Sequence, residues 1–180
     1  IIMGLMSPVT GKLFDKFGPR ILAVTGLAIT TIGTYMLSIL DAQSSIGFIV
    51  AVYSLRMFGM SMVSMPIMTN GLNQLPTRLN PHGTAINNTA QQVVGSIGTA
   101  VFVTIMNTIA TNRGEQIMAD LGNVTASPDI VVQLQSQALL EGIQFSFLIA
   151  TVVTIIALLL SLFLKRVPVN VQTLEKLEKE

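Results

Sequence analysis

The sequence predicts an all-α fold that crosses a membrane. Three observations carry that expectation. Of 180 residues, 51% are hydrophobic and only 11% are charged, where a soluble domain carries roughly a quarter. Mean hydropathy is +0.67. The charges also gather in short clusters, which separate four long stretches almost free of them. A helix needs about 20 mostly apolar residues to cross roughly 30 Å of hydrocarbon, and each stretch is long enough.

Residues 1–9, IIMGLMSPV, have no basic start and no small-residue cleavage site, so they do not read as a signal peptide. They read as the end of a membrane helix. The expectation is therefore a C-terminal part of a longer protein, with helices missing before Ile1. Residues 21–40 hold no charge and form the first full span. The second, about 47–73, holds one charge, Arg56. The third, about 84–111, is uncharged and rich in Gly and Thr. The fourth, about 142–164, is uncharged and the most oily.

The connectors set a direction. Lys12, Lys16 and Arg20 lie in 10–20, Arg78 and His82 in 74–83, and Lys165, Arg166, Lys176 and Lys179 in the tail 165–180. Only Asp41 lies around 41–46. In the long connector 112–141, Arg113 stands against Glu115, Asp120, Asp129 and Glu141. Alternate connectors are basic, and basic connectors stay in the cytoplasm. That places 10–20, 74–83 and the C-terminus inside, and 112–141 outside. Within that outer loop, IVVQLQSQALL at 130–140 fits either a short interfacial helix beginning near Pro128 or a solvated loop. Asn123-Val124-Thr125 is a glycosylation sequon, relevant only in an organism that glycosylates.

Composition excludes several functions. There is no Cys, hence no disulfide, thiolate metal site or Cys nucleophile, and one His makes a His-based metal site or triad improbable. A net charge of +1 gives no case for nucleic acid. No nucleophile with a base and no acid pair is visible, so no enzyme, metal or cofactor is expected.

Three stretches carry the functional expectation. The first is TGKLFDKFGPR, 10–20. Gly11, Leu13, Asp15, Gly18 and Arg20 fit the spacing G-x-L-x-D-x-x-G-x-R. The cations alone would suffice as a topology signal, which leaves Asp15 and the glycines to explain. Asp15 is within reach of the neighbouring cations, or it caps a helix N-terminus, worth ~0.3–1 kcal/mol.

The second stretch is 54–76. A charge near the bilayer centre costs ~2.5–3.5 kcal/mol on insertion scales, so Arg56 faces a cavity or a partner, or else snorkels to the surface. Arg56, Met60, Val63, Ile67 and Asn70 share one helical stripe, which is the expected cavity-facing side. Met57, Met60, Met62, Met65 and Met68 suit packing, or contact with varied ligands. Pro66 removes a donor and is expected to kink the helix.

The third stretch is 83–102. Asn87, Asn88, Gln91 and Gln92 are four amides at one end of a span. They either bond neighbouring helices, at about 1 kcal/mol each, or line a polar path. The same stretch ends in small residues: Gly95–Thr99 and Ser96–Ala100 are small-xxx-small pairs. With Gly98 they suit close helix packing.

The spacing at 11–20 resembles the cytoplasmic loop signature of the major facilitator superfamily. Four spans follow it, which matches the copy in the second half of those transporters. Arg56, Gly59 and Pro66, then Leu75-Pro76, then the Asn-rich run before Gly95-Ser96-Ile97-Gly98, resemble its fourteen-helix drug:proton antiporter branch. The resemblance implies an all-α bundle of C-terminal superfamily helices in the plasma membrane. It also implies a small-molecule substrate, protons as coupling ion, and alternating access. Asp15 and Arg20 would act as a cytoplasmic latch, and Arg56, Met60, Asn70, Asn88, Gln91 and Gln92 as candidates for the substrate pathway. One departure stands out: Gln91 occupies a position where the branch commonly has Arg. The rivals are a superfamily transporter for a specific metabolite, and a four-span membrane subunit that binds a partner.

Overall fold

The computed structural model describes the backbone of residues 2–121 and 128–164, and every side chain within them except those of 2–9, 15, 77, 118, 120, 121 and 128–131. Four helices account for nearly all of it: α1 (Ile2–Ser38), α2 (Ile46–Leu72), α3 (Asn80–Leu121) and α4 (Pro128–Ser161). A 3-10 turn, Thr77–Leu79, precedes α3. No strand occurs among the described residues. Each helix contains a segment apolar and long enough to span a membrane: Lys16–Ser38, Ile46–Leu72, Asn80–Ile117 and Val132–Ser161. The all-α membrane fold holds.

Two expected loops are largely helix. The connector 10–20 is helical on both sides of one break at Gly18, where φ is 78° and ψ 169°. Gly adopts that φ without steric cost. Pro19 follows, and proline suits the first position of a new helix because its missing N–H would have no partner there. The Gly-Pro pair thus replaces a loop with a two-residue corner. The connector 112–141 shrinks likewise. α3 runs to Leu121 and α4 begins at Pro128, so 130–140 is the first part of a long helix. With 42 residues, α3 is about 63 Å long at 1.5 Å per residue. That is twice the hydrocarbon thickness, so its ends stand outside the apolar layer. The sequon at 123–125 and the tail 165–180 lie outside the described residues.

The most extensive packing is α1 on α2. A Cβ placed on Gly26 would lie 2.7 Å from Gly59 O and 2.9 Å from Met62 Cβ. One placed on Gly59 would lie 2.6 Å from Thr30 Oγ1 and 2.8 Å from Thr30 N. The two backbones therefore touch, as small residues at a helix crossing allow. The threonine hydroxyls buried there are paired within their own helix. Thr30 Oγ1 donates to Gly26 O at 2.8 Å and Thr34 Oγ1 to Thr30 O at 2.7 Å. Leu37, Leu40 and Val52 close the far end of the seam, with Met36 and Phe147 against them.

α4 packs on α1 and on α3. Phe102 of α3 meets Phe147 of α4 edge-on, with ring centroids 5.4 Å apart. The cover is uneven: half of the apolar window of α1 is buried, 50%, against 0% for α3. Ile86, Val94, Ile97 and Phe163 point outward, which is the expected state for side chains that face lipid or further helices and not water.

Candidate functional site

α2 and α3 form a hairpin held at its closed end. A Cβ on Gly83 would strike Leu75 Cδ1 at 2.6 Å and Leu72 Cδ2 at 2.9 Å, so the start of α3 sits directly on the end of α2. Beyond this point the helices scarcely touch. The gap is a cavity of about 530 Å³, lined on α2 by Met60, Val63, Ser64, Ile67 and Met68, and on α3 by Asn87, Ala90, Gln91, Val94 and Gly95. Its size falls in the range of small-molecule sites, roughly 300–1,000 Å³.

The lining is apolar with a few polar groups, and no charge enters it. Ser64 is paired, its hydroxyl donating to Met60 O at 3.1 Å. Asn87 is not: its Nδ2 is buried without a hydrogen-bond partner. A buried donor left unmade costs about 1–3 kcal/mol. It is therefore a point where an acceptor on a bound molecule would be favoured. The thioethers of Met60 and Met68 give the walls a flexible, polarizable surface.

The expected stripe on α2 is split by the structure. Met60, Val63 and Ile67 line the cavity. Arg56 lies one turn beyond Met60, its Cβ against Gly33 of α1, 3.1 Å from where a Cβ on that glycine would be. Its Nε is buried without a hydrogen-bond partner. Asn70 is 4% exposed and also outside the lining. The cavity ends where α3 departs from α2, so a stripe longer than the gap cannot lie wholly within it.

On α3 the cavity takes one of the two amide pairs. Gln91 lines the cavity with Asn87, whereas Asn88 and Gln92 are exposed and outside it. Consecutive residues differ by 100° on a helix, so only one of the two i, i+4 amide pairs can face α2. Ser64, Met68 and Asn87 join the candidate residues on geometry.

Pro66 is fully buried in α2, which continues through it as one helix. A Cβ on Gly95 or Gly98 would meet nothing within 4 Å. Close helix contacts are instead made by Gly142 of α4, where a Cβ would strike Met106 O of α3, and by Gly26 and Gly59 between α1 and α2. A Gly26-xxx-Thr30 pattern in the sequence carried that signal.

At one end of the bundle, Gly11 and Leu13 are half-buried on α1, and Arg20 is exposed just past the corner at Gly18. The side chain of Asp15 lies outside the described residues. At the other end, Arg113 Nε of α3 donates to Glu141 Oε2 of α4 at 2.7 Å, and its Nη1 to Gln116 Oε1 at 3.1 Å. Gln144 Nε2, one turn along α4 from Glu141, donates to Leu40 O at the end of α1. A polar seam thus ties three helices where they leave the apolar layer. Both charges of the pair are about half exposed, 49% and 43%, so the pair itself contributes only about 0.2–1 kcal/mol.

The model of the Major Facilitator Superfamily matches residues 1–99. That match covers the corner at Gly18, the α1–α2 seam and both walls of the cavity. The chain belongs to the Major Facilitator Superfamily.

Within that superfamily, the chain is 42% identical over 170 residues to the lincomycin resistance protein LmrB of Bacillus subtilis, covering 94% of this chain and 34% of that protein. It is 40% identical over 166 residues to LmrB of Listeria monocytogenes, covering 92% of this chain and 33% of that protein. It is 48% identical over 136 residues to the uncharacterized MFS-type transporter YhcA of Bacillus subtilis, covering 76% of this chain and 25% of that protein. The chain thus spans a quarter to a third of the length of these relatives. No solved structure matches it. Superfamily membership and four apolar helices make it part of a multi-pass membrane protein of a transporter family.

Proposed function

We propose that these residues form the C-terminal helices of a fourteen-helix drug:proton antiporter in the plasma membrane, with its C-terminus in the cytoplasm. The observation that carries this reading is the cavity between α2 and α3. It joins methionine and aliphatic walls to the amides of Asn87 and Gln91, a lining suited to apolar molecules that carry a few hydrogen-bonding groups. The relatives named for lincomycin resistance support export of antibiotics. Transport would proceed by alternating access, one helix bundle rocking against another around a site near the midplane. The spans 21–40, 47–73, 84–111 and 142–164 hold no Asp or Glu. The carboxylate that carries the proton would therefore belong to helices outside these 180 residues.

The test is efflux of a fluorescent cationic dye, and survival in lincomycin, in cells expressing the full-length transporter. Efflux is expected to collapse with a protonophore, and to be lost when Ala90→Trp fills the cavity. Efflux that persists without a proton gradient would remove the antiporter reading. Unchanged efflux in Ala90→Trp would remove the cavity from the pathway.

On the same reading Asp15 and Arg20 form a cytoplasmic latch in the outward-facing state. Asp15→Asn is expected to lower transport while leaving the amount of protein in the membrane unchanged. Normal efflux in that variant would reduce the cluster at 10–20 to a topology signal.

A further inference from the structure

A second groove lies beside the corner at Gly18. It holds about 740 Å³ and is lined by Phe17, Arg20, Ile21, Val24 and Thr25 of α1 and by Leu162 and Leu164 just past α4. Both walls are the ends of membrane spans, since the α1 span starts at Lys16 and the α4 span stops at Ser161. The groove therefore lies at interfacial depth, and it shares no residue with the α2–α3 cavity.

Its chemistry is that of an amphiphile site. Ile21, Val24 and Leu162 make an apolar trough that continues into the span. Thr25 offers no spare donor, because its hydroxyl bonds Ile21 O at 2.8 Å. Arg20 is the charged residue in the lining. Lys16 Nζ stands 5.4 Å from the ring centroid of Phe17, a residue of the lining, and Lys12, Lys16 and Arg20 are all exposed. An apolar trough beneath a cluster of cations is complementary to an anionic head on an apolar tail. From this charge complementarity and depth we propose that the groove is a binding site for an anionic phospholipid. The phosphate would lie at Arg20 and Lys16, and an acyl chain would run along Ile21, Val24 and Leu162.

Native mass spectrometry of the full-length transporter, released from bilayers of equal phosphatidylglycerol and phosphatidylcholine, tests this. Both lipids would carry the same acyl chains. The wild type is expected to retain phosphatidylglycerol in preference. A juxtamembrane cation contributes about fivefold to association with an anionic surface, so Arg20→Ala should cut that preference about fivefold and Arg20→Lys much less. Val24→Trp, which fills the trough and leaves every charge in place, should lose bound phosphatidylglycerol as well. Equal retention of the two lipids by the wild type would overturn the proposal. So would a preference unchanged in both Arg20→Ala and Val24→Trp. Displacement of the lipid by free glycerol phosphate as effectively as by phosphatidylglycerol would also overturn it, because the trough would then contribute nothing. Should Arg20→Ala fail to accumulate, Val24→Trp decides.

Discussion

Gly59→Leu is expected to abolish assembly of the transporter, and Gly59→Ala to weaken it by about 2 kcal/mol, within the range typical of overpacking. The reason is the identity of the atoms in the way. A Cβ at this position would stand 2.6 Å from Thr30 Oγ1, 2.7 Å from Gly26 O and 2.8 Å from Thr30 N. Two of these are backbone atoms of a regular helix and have nowhere to go. The third is the hydroxyl that donates to Gly26 O at 2.8 Å, so moving it breaks a buried hydrogen bond. Separating the helices enough to admit Leu would also unseat Met62 and Val63, both buried at the same seam. Gly98 is the control, since a Cβ there would meet nothing within 4 Å. Melting of the detergent-solubilised full-length protein, followed by size-exclusion chromatography of a fluorescent fusion, measures the difference. Gly98→Ala should melt with the wild type, Gly59→Ala below it, and Gly59→Leu should give no monodisperse peak. Wild-type melting of Gly59→Leu would mean that the α1–α2 seam is looser than described.

That contrast shows how far the sequence could be read. The spans were legible because hydrophobic length is a one-dimensional property, and each uncharged stretch became a helix. The corner at Gly18 was legible in its residues but not in its size. A glycine followed by proline can turn a chain within two residues, so charges that suggested a loop sit on helices. Packing was harder. Gly95, Ser96, Gly98 and Thr99 form the denser cluster of small residues, yet the close contacts are made by Gly26, Thr30, Gly59 and Gly142, which are dispersed over three helices. Whether a small residue is used depends on which neighbour faces it, and that is a relation between helices. The cavity fell between these cases. Met60, Val63 and Ile67 share a stripe that helical periodicity gives directly, and all three line the cavity. The choice between Asn87–Gln91 and Asn88–Gln92 needed the rotation of α3 about its own axis, which four adjacent amides leave undetermined.

Arg56→Ala is expected to separate stability from function. An arginine inside an apolar helix costs ~2.5–3.5 kcal/mol on insertion scales, and here Nε is buried with no hydrogen-bond partner among the described residues. Its root is fixed: Gly33 leaves just enough room for the Arg56 backbone, with Arg56 Cα 3.3 Å from where a Cβ on that glycine would lie. The side chain thus begins pinned against α1 and lies one turn beyond the α2–α3 cavity. Nothing in the described packing repays its burial, so removing the guanidinium should leave the melting temperature unchanged or raise it. Transport should move the other way. A hydrogen bond to a charged group contributes about 1.5–3 kcal/mol. If the partner is a substrate or an acid on a helix outside this chain, Arg56→Ala should reduce efflux about tenfold or more. Arg56→Lys keeps the charge but not the fork of donors, and should retain an intermediate rate. The paired measurement is dye efflux in cells and melting of the purified full-length protein. Equal efflux in wild type, Arg56→Lys and Arg56→Ala would mean that the side chain only snorkels. A fall in melting temperature that parallels the fall in efflux would make Arg56 a packing residue, and its buried Nε would then have found its partner in the fold.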